Sequence, residues 1–185
     1  IMAMAGMNAL VGGVMGMNQA QMRTVIAYSS IGHLGWMMSL LASYKPNASI
    51  MYFMIYSIIV IPLLLAISYF NIHTIKDMMS ISSISLPIHL TLIILLLSLG
   101  GLPPLSGFMP KLMTIMLLME TNKSVVLLLI AGSVMNLFFY LNIVITMMLS
   151  APKMKVASSV KNSVMKTFTL ATATLSLGLS PLIML

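Results

Sequence analysis

The stretch Leu99-Gly100-Gly101-Leu102-Pro103-Pro104-Leu105-Ser106-Gly107-Phe108-Met109-Pro110-Lys111 interrupts a long apolar run with glycines and prolines, then sets a lysine among leucines and methionines. An unbroken helix does not pass through Pro103-Pro104, because each ring removes a backbone donor and crowds the turn before it, and Pro104 also drives Pro103 out of the helical region. As one continuous helix, residues 87–120 would measure about 50 Å, against a bilayer core of about 30 Å. Two half-helices joined by an elbow at Gly100, Gly101, Pro103 and Pro104 fit better. If Glu120 marks a membrane surface, Lys111 lies about 13 Å below it. An ammonium at such depth costs from about 2.5 to above 10 kcal/mol unless it is paired or hydrated. Non-helical backbone there is tolerated only inside protein or beside a wet cavity. Elbow and lysine together point to an internal polar path. The alternative is a kinked span whose lysine snorkels along its aliphatic stem to the interface.

Composition places the rest of the chain in the same setting. Of 185 residues, 60% are hydrophobic and 6% charged, and the mean hydropathy is +1.10. That balance excludes an ordinary soluble domain. The apolar runs are long and do not alternate strictly, so the expected fold is an all-α polytopic membrane protein of about six transmembrane helices, one broken at Gly100–Pro104. The net charge of +7 resides almost wholly in short connections, which reads as a topology signal and not as nucleic-acid binding. With no cysteine, thiolate metal sites, disulfides and thiol nucleophiles are excluded. The 22 methionines, twice the number of glycines, exceed what packing asks for. A mitochondrial genetic code, which reads an extra codon as methionine, would produce such a bias. Neither a secretory signal nor an Arg-rich presequence is expected, and the opening on Ile1 implies an unusual start codon or a longer amino-terminal part.

In chain order, a Gly/Ala-rich helix is expected over about residues 1–17, with Gly12 and Gly16 spaced for close backbone approach. A second, 24–43, carries Tyr28, Ser29, Ser30 and His33. His33 falls near mid-span, where an imidazole of ordinary pKa about 6.5 is suited to proton exchange; the alternative is a neutral ring satisfied by a serine or carbonyl. A third helix, 49–71, contains Pro62, and His73, Lys76 and Asp77 are assigned to a polar loop. His89, two residues inside the broken element, reads as an interfacial anchor. A fifth helix covers 124–149 with Asn136 and Asn142, a basic connection covers 150–166, and a last helix covers 167–184. The whole is expected to form a single membrane domain. Arg23, Lys76, Lys153, Lys155, Lys161 and Lys166 fall on one side and Lys45 and Lys123 on the other. The first side is then the cytoplasm, or the matrix of a mitochondrion, and the carboxyl terminus faces the opposite way, the intermembrane space.

Asn18-Gln19 through Arg23, Ala27-Tyr28-Ser29-Ser30-Ile31 with His33-Leu34-Gly35-Trp36, and the Gly100–Lys111 elbow appear in the order and at the separation found in a known family. The chain closely resembles the subunit 2 family of mitochondrially encoded NADH dehydrogenase, antiporter-like membrane subunits of respiratory complex I. The resemblance implies a carboxyl-terminal portion of such a subunit, including most of the second of two inverted five-helix repeats. It implies that Lys111 is the proton-relaying lysine of the broken helix, with His33, Tyr28, Ser29, Ser30 and Ser106 as support. It also implies an inner-membrane location. Implied partners are the neighbouring antiporter-like and small membrane subunits, accessory subunits and lipids such as cardiolipin. NADH, FMN, iron–sulfur clusters and ubiquinone would belong to the complex, with no cofactor, metal or redox chemistry in this chain. A buried lysine keeps its proton while a negative charge is near and yields it when that charge withdraws, which suits pumping. Thr24, where many relatives carry another base, is a small departure. Two rivals stand beside this reading: a free-standing cation/proton antiporter, which would want acids at mid-span, and a purely structural subunit.

Overall fold

The computed structural model describes residues 1–81, 86–103, 105–149 and 171. Its described elements are α1 (Met2–Met17), α2 (Met22–Ala42), α3 (Pro46–Tyr69), α4 (Ile75–Ile81), α5 (Leu86–Gly100), α6 (Phe108–Met119) and α7 (Lys123–Leu149). The chain is an all-α polytopic membrane protein. Helices α2, α3 and α7 are each long and apolar enough to cross a bilayer, and α1, α5 and α6 are shorter apolar helices. The basic connection at 150–166, most of the expected last helix and Pro104 lie outside the described residues.

Small residues let α1 sit between α2 and α7. A Cβ on Gly12 would lie 2.6 Å from the Tyr28 carbonyl oxygen, and one on Gly132 would collide with the Ala9 carbonyl. Backbones therefore touch where side chains would otherwise hold them apart. The described core divides by depth. One apolar cluster gathers Val25, Leu63, Ile67, Leu92, Leu96 and Met147 toward the ends that meet Arg23 and Lys76. A second gathers Trp36, Leu40, Leu118, Val126 and Leu129 toward the other face. Most of the buried polar side chains at mid-depth, among them Ser29, His33, Ser98, Lys111 and Asn136, lie on the segments between the two.

Two connections are stitched together on one face. Met22 N–H donates to the His73 carbonyl at 3.1 Å, and Ile75 N–H to that of Ala20 at 3.2 Å, around a bridge between Gln21 and Thr74. Arg23 and Lys76 consequently share a side, as the charge count expects. The polar loop assigned to Lys76 and Asp77 is instead the start of α4. Thr74 Oγ1 accepts from Asp77 N–H at 3.3 Å, while Asp77 Oδ2 accepts from the N–H of Thr74 at 2.8 Å and of His73 at 3.1 Å. This is a capping box with Asp at its third helical position, and Thr-x-x-Asp before Met78 was its signal. The hydrogen bonds from Thr74 and His73 hold the Asp77 carboxyl below the usual carboxylate range.

Candidate functional site: an elbow and its lysine

Helix α5 ends in a left-handed turn. Gly101 has φ +79°, its N–H donates to the Ser98 carbonyl at 3.1 Å, and Leu102 N–H reaches back to Leu97 at 3.4 Å. That pattern is a Schellman motif, which satisfies the carbonyls of Leu97 and Ser98 and leaves those of Leu99 and Gly100 to find other donors. Lys111 supplies them. Its Nζ donates to Gly100 O at 3.0 Å and to Leu99 O at 3.4 Å.

The lysine thus turns inward and is 6% exposed, so it does not snorkel. Two charge-assisted hydrogen bonds at about 1.5–3 kcal/mol each, with up to about 2 from the negative end of α5, come to about 3–8 kcal/mol gross. This matches the lower range of the cost of placing the ammonium there. Glycine makes the geometry possible. A Cβ on Gly101 would stand 2.7 Å from Lys111 Nζ, and one on Gly107 would collide with the Ser98 carbonyl. The break runs from Gly101 to Gly107, longer than the expected Gly100–Pro104. Pro103 is exposed at its outer side, and Ser106 Oγ lies 3.4 Å from Ser98 Oγ.

His33 reaches the elbow from α2. Its Nδ1 meets the Tyr52 hydroxyl at 2.9 Å, and its ring centroid is 4.7 Å from that of Tyr56. Nε2 is buried and makes no hydrogen bond; the Leu99 carbonyl, already bonded to Lys111, also faces this imidazole. A void of about 10 Å³ between His33, Tyr52, Ser98 and Gly107 has about the volume one water needs. A second cavity, of about 330 Å³, is walled by Lys111 itself with Trp36, Phe108, Ile115, Ser133 and Leu137.

Of the residues singled out from sequence, Lys111, His33, Gly100 and Gly101 converge, and Ser106 joins them through Ser98. Ser29 and Ser30 lie one turn from His33 and donate to Ile26 O at 2.9 Å and Ala27 O at 2.6 Å. Tyr28 is half-buried, with its carbonyl on the α1 contact at Gly12. His89 is half-buried beside the Met147 backbone, so it packs between helices at the start of α5. Sequence reasoning missed Tyr52, Tyr56 and Tyr140. Their signal was available: Tyr52 and Tyr56 stand four apart, and hence on one helical face, inside an otherwise apolar span.

Helices crossing a membrane in close glycine contact, one of them broken around a buried lysine, define an antiporter-like transmembrane module. A family model described as NADH:quinone oxidoreductase/Mrp antiporter, transmembrane, matches residues 1–139. The chain belongs to that family. It is 57% identical over 185 residues to NADH-ubiquinone oxidoreductase chain 2 of Lumbricus terrestris, covering 100% of this chain and 55% of the relative. To the protein of that name from Mus musculus it is 43% identical over 136 residues, 70% of this chain and 37% of the relative. The chain spans about half the length, or less, of these curated relatives. Its fold is that of a chain of respiratory complex I from Thermus thermophilus with bound aureothin, with TM-score 0.82 and 22% identity over 99% of this chain and 44% of that one. A chain of the Mrp complex from Dietzia sp. DQ12-45-1b aligns with TM-score 0.77 and 15% identity, covering 97% and 43%.

Proposed function

We propose that this chain is a carboxyl-terminal part of a core membrane subunit of proton-pumping NADH:ubiquinone oxidoreductase, and that Lys111 receives and releases a proton in each cycle. The observation that carries the reading is the seat of Lys111 on the free carbonyls of Leu99 and Gly100, one carbonyl away from the His33–Tyr52 pair. A lysine tied to backbone oxygens has no fixed anionic partner at those bonds, so its charge responds to charge moved nearby. Loading follows when negative charge approaches; release follows when it withdraws. His33, holding Tyr52 at Nδ1 and open at Nε2, is placed to exchange that proton toward the interior, with Ser106 and Ser98 lining the elbow. Carrying one charge across the membrane takes about 2.3 kcal/mol per 100 mV, which quinone reduction elsewhere in the complex would supply.

In this reading the chain acts as part of a translocase and does no redox chemistry itself; NADH, FMN, iron–sulfur clusters and ubiquinone serve the complex. It sits in the mitochondrial inner membrane as one membrane domain, with its carboxyl terminus toward the intermembrane space. Neighbouring antiporter-like subunits, accessory subunits and lipids such as cardiolipin surround it. The test is proton translocation per NADH oxidised in reconstituted complex carrying Lys111→Ala. The expected result is normal assembly with pumping lost; normal assembly, turnover and pumping together overturn the relay.

A further inference from the structure

Lys111 is enclosed by protein, yet both of its hydrogen bonds go to uncharged acceptors, the carbonyls of Leu99 and Gly100, and among the described residues it has no carboxylate partner. Buried charges are ordinarily paired with an opposite one. An ammonium carries three N–H donors, so one remains beyond these two bonds. The same side chain walls the cavity of about 330 Å³, whose other described walls, Trp36, Phe108, Ile115 and Leu137 among them, hold no ionisable group; Ser133 adds a hydroxyl. Gly101 is also in that wall, and its missing side chain leaves free the space beside Lys111 Nζ.

Val134 in the cavity wall is 60% exposed, so the cavity meets the molecular surface there. Helix α7 starts at Lys123, which puts Val134 about 17 Å along it, at the depth of the hydrocarbon core. Around that mouth the exposed side chains are apolar: Leu127 and Phe138 on α7, Met113 and Met116 on α6. A ligand that arrives by this route comes through lipid and needs an apolar body; one that stays against Lys111 needs a negative end. The cavity is of the size and kind that small ligands fill, mainly apolar with a few polar groups to fix orientation.

We propose that this cavity binds the carboxyl end of a single-chain fatty acid, which enters from the bilayer as the neutral acid and pairs with Lys111 as the carboxylate. In pairing, the O–H bond of the acid breaks and its proton goes to the nitrogen lone pair of the uncharged Lys111 amine, leaving a carboxylate against an ammonium. The carboxylate accepts the N–H that the elbow carbonyls do not use. A phospholipid is a poorer fit: its phosphodiester keeps its charge, and charge does not cross hydrocarbon to this depth without a large cost. A negative charge fixed beside Lys111 holds the proton on it, so the bound fatty acid inhibits coupled turnover. That consequence rests on the relay proposed for Lys111; the binding does not.

The experiment irradiates reconstituted complex with palmitic acid bearing a diazirine in its chain and maps the adducts. They are expected on α6 and α7 within residues 108–137. Unlabelled palmitic acid should compete at about a tenfold lower concentration than its methyl ester, which keeps the chain and cannot form the ion pair. Val134→Trp, which sets a larger side chain at the mouth, should lower labelling severalfold and relieve inhibition by the fatty acid, with turnover in its absence unchanged. No adducts there means that water or another part of the complex fills the cavity, and overturns the site. Equal competition by acid and ester shows a chain in an apolar groove only, and overturns the pairing with Lys111. If Val134→Trp does not assemble, the comparison of acid with ester on the unaltered complex decides alone. Adducts that prefer the acid, with coupled turnover untouched at saturating fatty acid, keep the site and remove the relay reading instead.

Discussion

Pro62 and the Gly101–Gly107 elbow both place proline in the middle of a membrane-crossing element, yet α3 runs unbroken through Pro62 for 24 residues while α5 and α6 are separate helices. Pro62 takes one N–H out of the ladder and frees one carbonyl, a defect that a buried helix absorbs locally. The elbow frees several groups at once. What lets it persist is not proline but two other residue types: glycines, which give the left-handed turn and the close approach to α5, and a lysine, which takes the carbonyls left over. A break in a membrane helix is thus maintained by its acceptors finding donors, and here the donor is also the charge proposed to carry the proton.

The most severe way to break that contrast is Gly107→Ala. Its Cβ would collide with the Ser98 carbonyl, an atom of the helix backbone that cannot rotate aside. Overpacking of this kind costs about 1–3 kcal/mol and occasionally more, and this site belongs at the upper end. The assembled complex should be lost or sharply reduced on a native gel. Normal assembly and pumping would mean that glycine does not hold the elbow closed.

How much of this was legible in the residues follows from which forces are local. Proline and glycine act within a turn, so the break before Lys111 was visible. The length of the break was not visible. It extends to Gly107 because that glycine seats on Ser98, a contact between helices that sequence spacing does not encode. His33 was identified, but its partner was expected to be a serine or carbonyl; serines four or fewer residues away donate to their own helix instead, and the free partner came from α3 as Tyr52. The capping box of α4 was local and readable, yet the serines and charges around it were taken as a loop.

A milder change sharpens the comparison from the polar side. Tyr52→Phe removes the oxygen 2.9 Å from His33 Nδ1 and keeps the ring in its buried site. Leaving His33 Nδ1 buried without its partner costs about 1–3 kcal/mol, and assembly should survive. With its tautomer and orientation no longer set, His33 should exchange protons more slowly, so coupled turnover should fall by a few-fold or more, while turnover in uncoupled, leaky vesicles changes less. Equal loss in both conditions would assign Tyr52 to packing alone.

The smallest effect is expected at Pro62→Ala, and it bears most directly on the contrast. Alanine restores an N–H to α3 and removes the ring that crowds the carbonyl four residues back, so the helix gains a hydrogen bond. In an exposed helix interior this exchange is worth about 3 kcal/mol, but membrane helices and their neighbours already accommodate the proline, so the gain here should be under about 1 kcal/mol. Thermal inactivation of the assembled complex should shift slightly upward or not at all, with pumping per NADH unchanged. If pumping instead falls while assembly holds, α3 needs its missing hydrogen bond to bend during the cycle. Pro62, like the elbow, would then be a moving part, and Tyr52, about three turns back on the same helix, would be what it moves against His33.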